Sequence, residues 1–109
     1  MSPRRTLSPG MVAVLQAIAS GTNYGFEIMD RTGLPGGSVY PALGRLQRLG
    51  YVKSSWERHS VAAREKRPPR RYYDLTEAGR VALVQAAEQY RALAQKVTDG
   101  LAQPRPSRA

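Results

Sequence analysis

Two groups of cations hold the chemistry of this chain. Arg45 and Arg48 stand three residues apart near the end of an apolar-periodic stretch. Arg64, Lys66, Arg67 and Arg70 crowd the run Arg64-Glu65-Lys66-Arg67-Pro68-Pro69-Arg70-Arg71. Guanidinium and ammonium groups at this density capture anions, and the planar guanidinium fork suits phosphate. Over all 109 residues Lys+Arg is 17 against Asp+Glu 8, a formal net charge of +9. A surplus of that size favours a polyanion as partner: DNA, RNA or an anionic membrane surface. The remaining reactive inventory is thin. There is no Cys and a single His, His59, which reads as a solvent-exposed loop residue. A disulfide framework, a thiolate or multi-histidine metal site, or a Ser/His/Asp triad therefore has almost nothing to be built from. The expectation is a binding protein with no catalysis, cofactor or metal.

The element that must position Arg45 and Arg48 is the stretch Gly36 to Gly50. Val39, Leu43 and Leu46 recur at i, i+4 and i+7, with Ala42 and Leu49 at the edge, which predicts an amphipathic helix over about 37–49. The opposite face carries Gly37, Pro41, Gly44, Arg45 and Arg48: small at its start, basic at its end. Ser38 is expected at or near the N-cap, which puts Pro41 in the first turn, and Gly50 is the stop. Two glycines are poor choices for an ordinary surface helix, at roughly 1 kcal/mol each against Ala. Close approach to a DNA duplex explains them. Arg45 and Arg48 then read as phosphate clamps, against the alternative of solvated charges.

Before this stretch, Ser8 reads as an N-cap and Pro9 as N1 of a helix whose stripe is Met11, Val14, Leu15 and Ile18, stopped at Ser20-Gly21. Thr22 or Asn23 is expected to cap a second helix from Tyr24 to about Arg31, ended by Gly33. Gly25 in its first turn predicts a close crossing. Two helices joined by a brief turn, the second with a small-and-basic face, make a helix-turn-helix. After it, Tyr51 to Glu57 and Arg71 to Leu75 are strand-prone and enclose the basic run Arg58 to Arg70, which lacks apolar periodicity. This predicts a β-hairpin wing with a long loop, whose Arg64, Lys66, Arg67 and Arg70 reach the minor groove or flanking phosphates, or else are simply solvated. Tyr72 and Tyr73 should face opposite ways, one core and one exposed, and Trp56 should pack at the hairpin base. Thr76 reads as the cap of a long last helix. Its Leu83, Ala86, Tyr90, Leu93 and Val97 fall at spacings of 3, 4, 3 and 4, an a/d seam for a homodimer. Residues 1–6 read as a basic arm and 103–109 as a disordered tail.

In order along the chain, Tyr24-Gly25-Phe26-Glu27-Ile28, Gly37-Ser38-Val39-Tyr40-Pro41-Ala42-Leu43, Leu46 to Val52, and Arg71-Tyr72-Tyr73-Asp74-Leu75-Thr76-Glu77-Ala78-Gly79 resemble PadR-type transcriptional regulators, over about residues 8–100. The resemblance implies a winged helix-turn-helix that binds a palindromic operator as a homodimer, usually as a repressor. It is similar to the small subgroup in which one C-terminal helix completes the dimer. It also implies that Ser38, Tyr40 and Pro41 occupy the DNA-facing helix start, where a hydroxyl can donate to phosphate beside free backbone N–H groups. For Tyr40 a packed ring is the alternative. Gly37 permits close backbone approach. The wing is longer and more basic than the family pattern. A tryptophan on the C-terminal helix, used by some relatives for stacking a ligand, has no counterpart, so the resemblance does not support ligand sensing, and any small-molecule effector is unknown.

The expected fold is mainly α with a small β-hairpin wing: a winged helix-turn-helix DNA-binding domain over 1–75, a dimerisation helix over 76–102 and a tail over 103–109. No stretch approaches the roughly 20 apolar residues of a membrane span. Arg4-Arg5 before Met11 to Ala19 imitates an export signal, but Gln16 interrupts the apolar run and Ser8-Pro9 reads as a cap. The expected place of action is therefore the cytoplasm, on the nucleoid. The runner-up function is a sequence-tolerant RNA-binding or nucleoid-architectural protein, and behind it stands a protein-interaction adaptor built on a degenerate winged helix.

Overall fold

The structure is a computed structural model and describes residues 7–102. The basic arm and the polar tail expected at the two ends lie outside those residues. The order is α1 (Pro9–Ala19), α2 (Gly25–Thr32), α3 (Gly36–Arg48), β1 (Val52–Trp56), α4 (His59–Arg64), β2 (Arg71–Leu75) and α5 (Glu77–Ala102). The two strands pair antiparallel, Val52 opposite Leu75 at one end and Trp56 opposite Arg71 at the other.

The expected stripes make the core. Met11, Val14, Leu15, Ala17 and Ile18 of α1 meet Ile28 of α2, Val39, Ala42, Leu43 and Leu46 of α3, and Val52 of β1. Helix α1 starts as the sequence dictates. Ser8 accepts a hydrogen bond from the Met11 N–H at 3.2 Å, and Pro9 supplies a first-turn residue whose N–H is not needed. Helix α2 starts one residue later than expected. Its N-cap is Tyr24 with no side-chain cap bond, because the segment before it is drawn to the sheet. The Tyr73 N–H donates to the Asn23 carbonyl at 2.8 Å, and Tyr24 bridges Tyr72. Tethering to β2 replaces the cap.

Helix α3 opens earlier than the Ser38 cap predicted. Pro35 is the N-cap, and its carbonyl accepts from the Ser38 and Val39 N–H groups at 2.9 and 3.0 Å. Gly36 and Gly37 are thus helical despite their low propensity, because the buried face of Val39, Ala42, Leu43 and Leu46 outweighs it. Pro41 consequently sits inside the helix rather than in its first turn. Having no N–H, it leaves the carbonyl four residues back, on exposed Gly37, without its helical donor.

Helix α5 is capped by Thr76, whose hydroxyl accepts from the Gly79 N–H at 3.0 Å and donates to the Gly50 carbonyl at 2.6 Å. Gly79 lies directly on the Tyr51 carbonyl, where a Cβ would collide with backbone. Over 26 residues the helix is about 39 Å long, and its two halves differ. Leu83 packs against the core, Ala86 is buried, and the Tyr90 hydroxyl donates to the Leu7 carbonyl at 2.6 Å. Every described residue after Tyr90 is exposed, Leu93 and Val97 at 55% each. The expected five-residue seam therefore divides at Tyr90. Leu83, Ala86 and Tyr90 bind their own winged body, and only Leu93 and Val97 present an open apolar stripe.

Candidate nucleic-acid interface

Burial of one side of α3 leaves the other side open. Gly37, Ser38, Tyr40, Pro41, Arg45 and Arg48 are all exposed there, and the Arg48 guanidinium lies close to Gly44. The two arginines are in the last turn, at the negative end of the helix, and flank a groove shared with Leu7, Ser8 and Met11 of the α1 start. The face is small at its start and charged at its end, the arrangement the sequence predicted. Tyr40 is packed and open at once. Its ring lies across Gly25, where a Cβ would stand 2.6 Å from Cε1, yet the side chain stays half open. Gly25 is there to seat this ring, and the Tyr40 hydroxyl is held at the junction of α2 and α3.

The wing departs furthest from expectation. The segment between the strands is not an unstructured loop. It carries α4, with Ala62 buried, closed by a reversed turn in which the Lys66 and Arg67 N–H groups donate to the Ala63 and Ala62 carbonyls at 3.1 and 3.2 Å. Lys66 takes φ +55° to make that turn, a left-handed conformation usually left to Gly at a helix end. The organising group is Glu57, which the sequence reading passed over. Arg67 donates from both Nη atoms to its two oxygens at 2.6 and 3.0 Å, the Tyr72 hydroxyl donates at 2.9 Å, and the Arg70 backbone N–H at 3.4 Å. The Arg67 fork, together with those bonds, holds the Glu57 carboxyl down at about 2, and Glu57 in turn raises Arg67.

This network revises the list of wing cations. Arg67 is engaged by Glu57 and by the Pro68 carbonyl, so its guanidinium serves the wing's own structure. Arg70 stacks on Tyr24, its guanidinium carbon 4.1 Å from the ring centroid, which fixes its direction without neutralising its charge. Arg64 and Lys66 stand exposed, and neither has an ion pair among the described residues. Tyr72 and Tyr73 are both half-buried rather than one in and one out. Tyr72 meets Tyr24 edge-on at 5.9 Å, and Tyr73 packs on the core. Trp56 is not at the hairpin base but at its outer end, with Arg71 5.4 Å over its ring. Strand parity puts Trp56 on the same face as buried Val52, yet its ring is 66% exposed. Among the described residues no group of His, Asp and Glu could hold a metal ion, and no helix is long and apolar enough to cross a membrane.

Known proteins place this arrangement. A comparison with curated proteins gives no match. Among solved structures the chain is similar to a PadR family transcription regulator from hypervirulent Clostridium difficile R20291, at 21% identity and TM-score 0.75, over 86% of this chain and 99% of that one. It is similar also to the PadR-like transcriptional regulator BC4206 from Bacillus cereus, at 23% and 0.69, over 86% and 92%. The PcaV transcriptional regulator from Streptomyces coelicolor, solved with its natural ligand, matches at 18% and 0.72, over 90% of this chain and 65% of that one. At these identities the likeness is one of fold, a winged helix with a long C-terminal helix. The sequence pattern of the transcriptional regulator PadR-like family matches residues 14–85, from the middle of α1 through the wing into α5, and the chain belongs to that family of DNA-binding regulators.

Proposed function

We propose that this regulator is a sequence-specific repressor that binds a palindromic operator as a homodimer, in the cytoplasm on the nucleoid. The observation that carries the reading is the open face of α3, with Gly37, Ser38 and Pro41 at its start and Arg45 and Arg48 at its end. In this reading the N-terminal half of α3 enters the major groove, and Arg45 and Arg48 hold phosphates. Arg64, Lys66 and Arg70 of the wing take the minor groove or flanking phosphates. Leu93 and Val97 support the dimer, since apolar side chains on a helix that has left its own body gain only from a partner. The dimerising part of the chain is then the half of α5 beyond Tyr90 rather than the whole of 76–102. A two-fold axis through it would set two α3 helices about 34 Å apart, one turn of duplex.

Selection of bound duplexes from a random pool, with sedimentation of the parent chain and of Leu93→Asp, tests the reading. A selected dyad, a dimeric parent and a monomeric variant that loses the dyad are expected. Enrichment without a dyad would favour the sequence-tolerant binder instead. A Leu93→Asp variant that sediments as a dimer and still protects a full dyad would move the interface elsewhere.

A further inference from the structure

A groove of about 490 Å³ runs between the first turn of α2, Tyr40 of α3 and the outer end of the wing. Its walls are aromatic and open. Phe26 is 72% exposed, Trp56 66% and Tyr40 55%. Isolated exposed apolar residues need no explanation, but three rings on one groove do. Two of them, Phe26 and Trp56, have no polar group that an exposed position would serve except the indole N–H. Arginines line the same groove. Arg70 is stacked on Tyr24 and Arg71 on Trp56, with one Arg71 donor on the Ser54 hydroxyl at 2.8 Å. Stacking holds a guanidinium by its face and leaves its edge donors for an anion.

Apolar walls beside cations match a chain of alternating deoxyribose rings and phosphates. We propose that this groove takes one sugar–phosphate strand of the DNA duplex, with Phe26 and Trp56 against deoxyribose faces and Arg70 and Arg71 on the adjoining phosphates. The inference rests on the DNA-binding reading of α3, with which the groove is continuous through Tyr40. A small aromatic anion would satisfy the same chemistry, but ligand pockets bury most of their ligand, and walls as open as Phe26 and Trp56 leave a small molecule largely wet. A strand lying along the trough covers both rings at once.

Trp56 is the single tryptophan of the chain and lines this groove, so all tryptophan emission comes from the outer end of the wing, and Phe26→Ala ties a change in it to this groove. The full chain is titrated with a fluorescently labelled selected duplex, following the label's anisotropy and the tryptophan emission in the same samples. The emission is expected to change with the same midpoint as the anisotropy. Phe26→Ala should weaken binding about 3- to 10-fold with the salt dependence unchanged, because it removes only apolar contact. Arg71→Ala should lower the slope of log K against log salt by about 0.9, the loss of one phosphate contact on B-DNA. Both side chains are exposed, and circular dichroism checks that each variant is folded. If the duplex binds while the emission stays fixed and Phe26→Ala binds as the parent does, the groove takes no strand, although the α3 reading stands. If sodium benzoate changes the emission and the duplex does not, the occupant is a small aromatic anion and the proposal fails. If no duplex changes the anisotropy, the DNA-binding reading falls and the proposal with it.

Discussion

The helical body and the wing are held together by different physics. In the body, α1, α2 and α3 bury ten core side chains, eleven with Val52, none of them charged. In the wing beyond Val52, the buried apolar side chain is Ala62; β2 is tied to the body through Tyr73 and Leu75, and the segment around α4 is ordered by Glu57 with its four hydrogen bonds from Arg67, Tyr72 and Arg70. Burial of apolar area is non-directional and tolerates many partners. A carboxylate with a bidentate arginine fixes direction and is undone by a single proton. Helix α3 is set in the first kind of structure and the α4 segment of the wing in the second, so the wing is expected to open at lower cost than the body.

The largest effect should come from the body. Leu15 is fully buried in α1 and remote from the open face of α3. Leu15→Ala should lower stability by about 2–5 kcal/mol, as a Leu truncation in a packed core does. Denaturant unfolding followed by helical circular dichroism would measure it. If the body and the wing were one undivided unit held alike, an equal loss would follow from breaking the wing's network.

Acid should break the wing first. Glu57 is held at about 2, below the ordinary 4.5, with the Arg67 hydrogen bonds as the main cause. A depressed carboxyl in the folded state favours folding above its ordinary pKa, and that contribution fades as pH falls from about 4.5 towards 2. Protonation removes the charge that holds Arg67, weakens acceptance from Tyr72 and the Arg70 N–H, and frees α4 and its turn. Amide hydrogen exchange is the measurement. Over that pH window the Glu57 and Arg67 amides, which donate to the Arg70 and Ala62 carbonyls, should lose protection while α1 amides keep theirs. Glu57→Gln should show the loosened wing already at neutral pH. Loss of α1 protection at the same pH would show that the two regions melt together.

The same division decides what was legible in the sequence. Where apolar periodicity carries the structure it could be read: the stripes of α1 and α3, the Ser8-Pro9 start and the Thr76 cap all stand in the fold as expected. Where a polar partner carries it, the sequence was mute. Arg67 looks like any other arginine of a basic run until Glu57, ten residues back, is seen to grip it. Six residues of α4 around one buried Ala62 give too little periodicity to separate from a loop. Trp56 obeyed strand parity, but parity does not say where the supporting body ends. The divided seam of α5 has the same origin, since Tyr90 is recognised as an inward residue only once its hydroxyl meets the Leu7 carbonyl. On α3 the exposed positions were readable, and on the wing the cations had to be sorted by which ones the wing keeps for itself.

The smallest effect, and the one that most sharpens the contrast, belongs to Lys66. Its φ of +55° is a conformation that costs an L-residue roughly 1–2 kcal/mol. Glycine adopts it freely, but its unfolded chain is more disordered by roughly 0.5–1 kcal/mol. Lys66→Gly should therefore stabilise the turn after α4 by something under about 1 kcal/mol. The same change removes an exposed cation from the wing. If Lys66 holds a phosphate, the slope of log K against log salt should fall by about 0.9 on B-DNA, so the wing becomes firmer as the complex becomes weaker. Lys66→Ala separates the two terms: it removes the charge and keeps the strain, so it should lose the same salt slope with no gain in protection at the Arg67 amide. A strained lysine where glycine would be easier then has a reason in its charge. If both variants bind a duplex with the parent's affinity and salt slope, Lys66 never meets DNA, and its strain serves only the turn that aims Arg67 at Glu57.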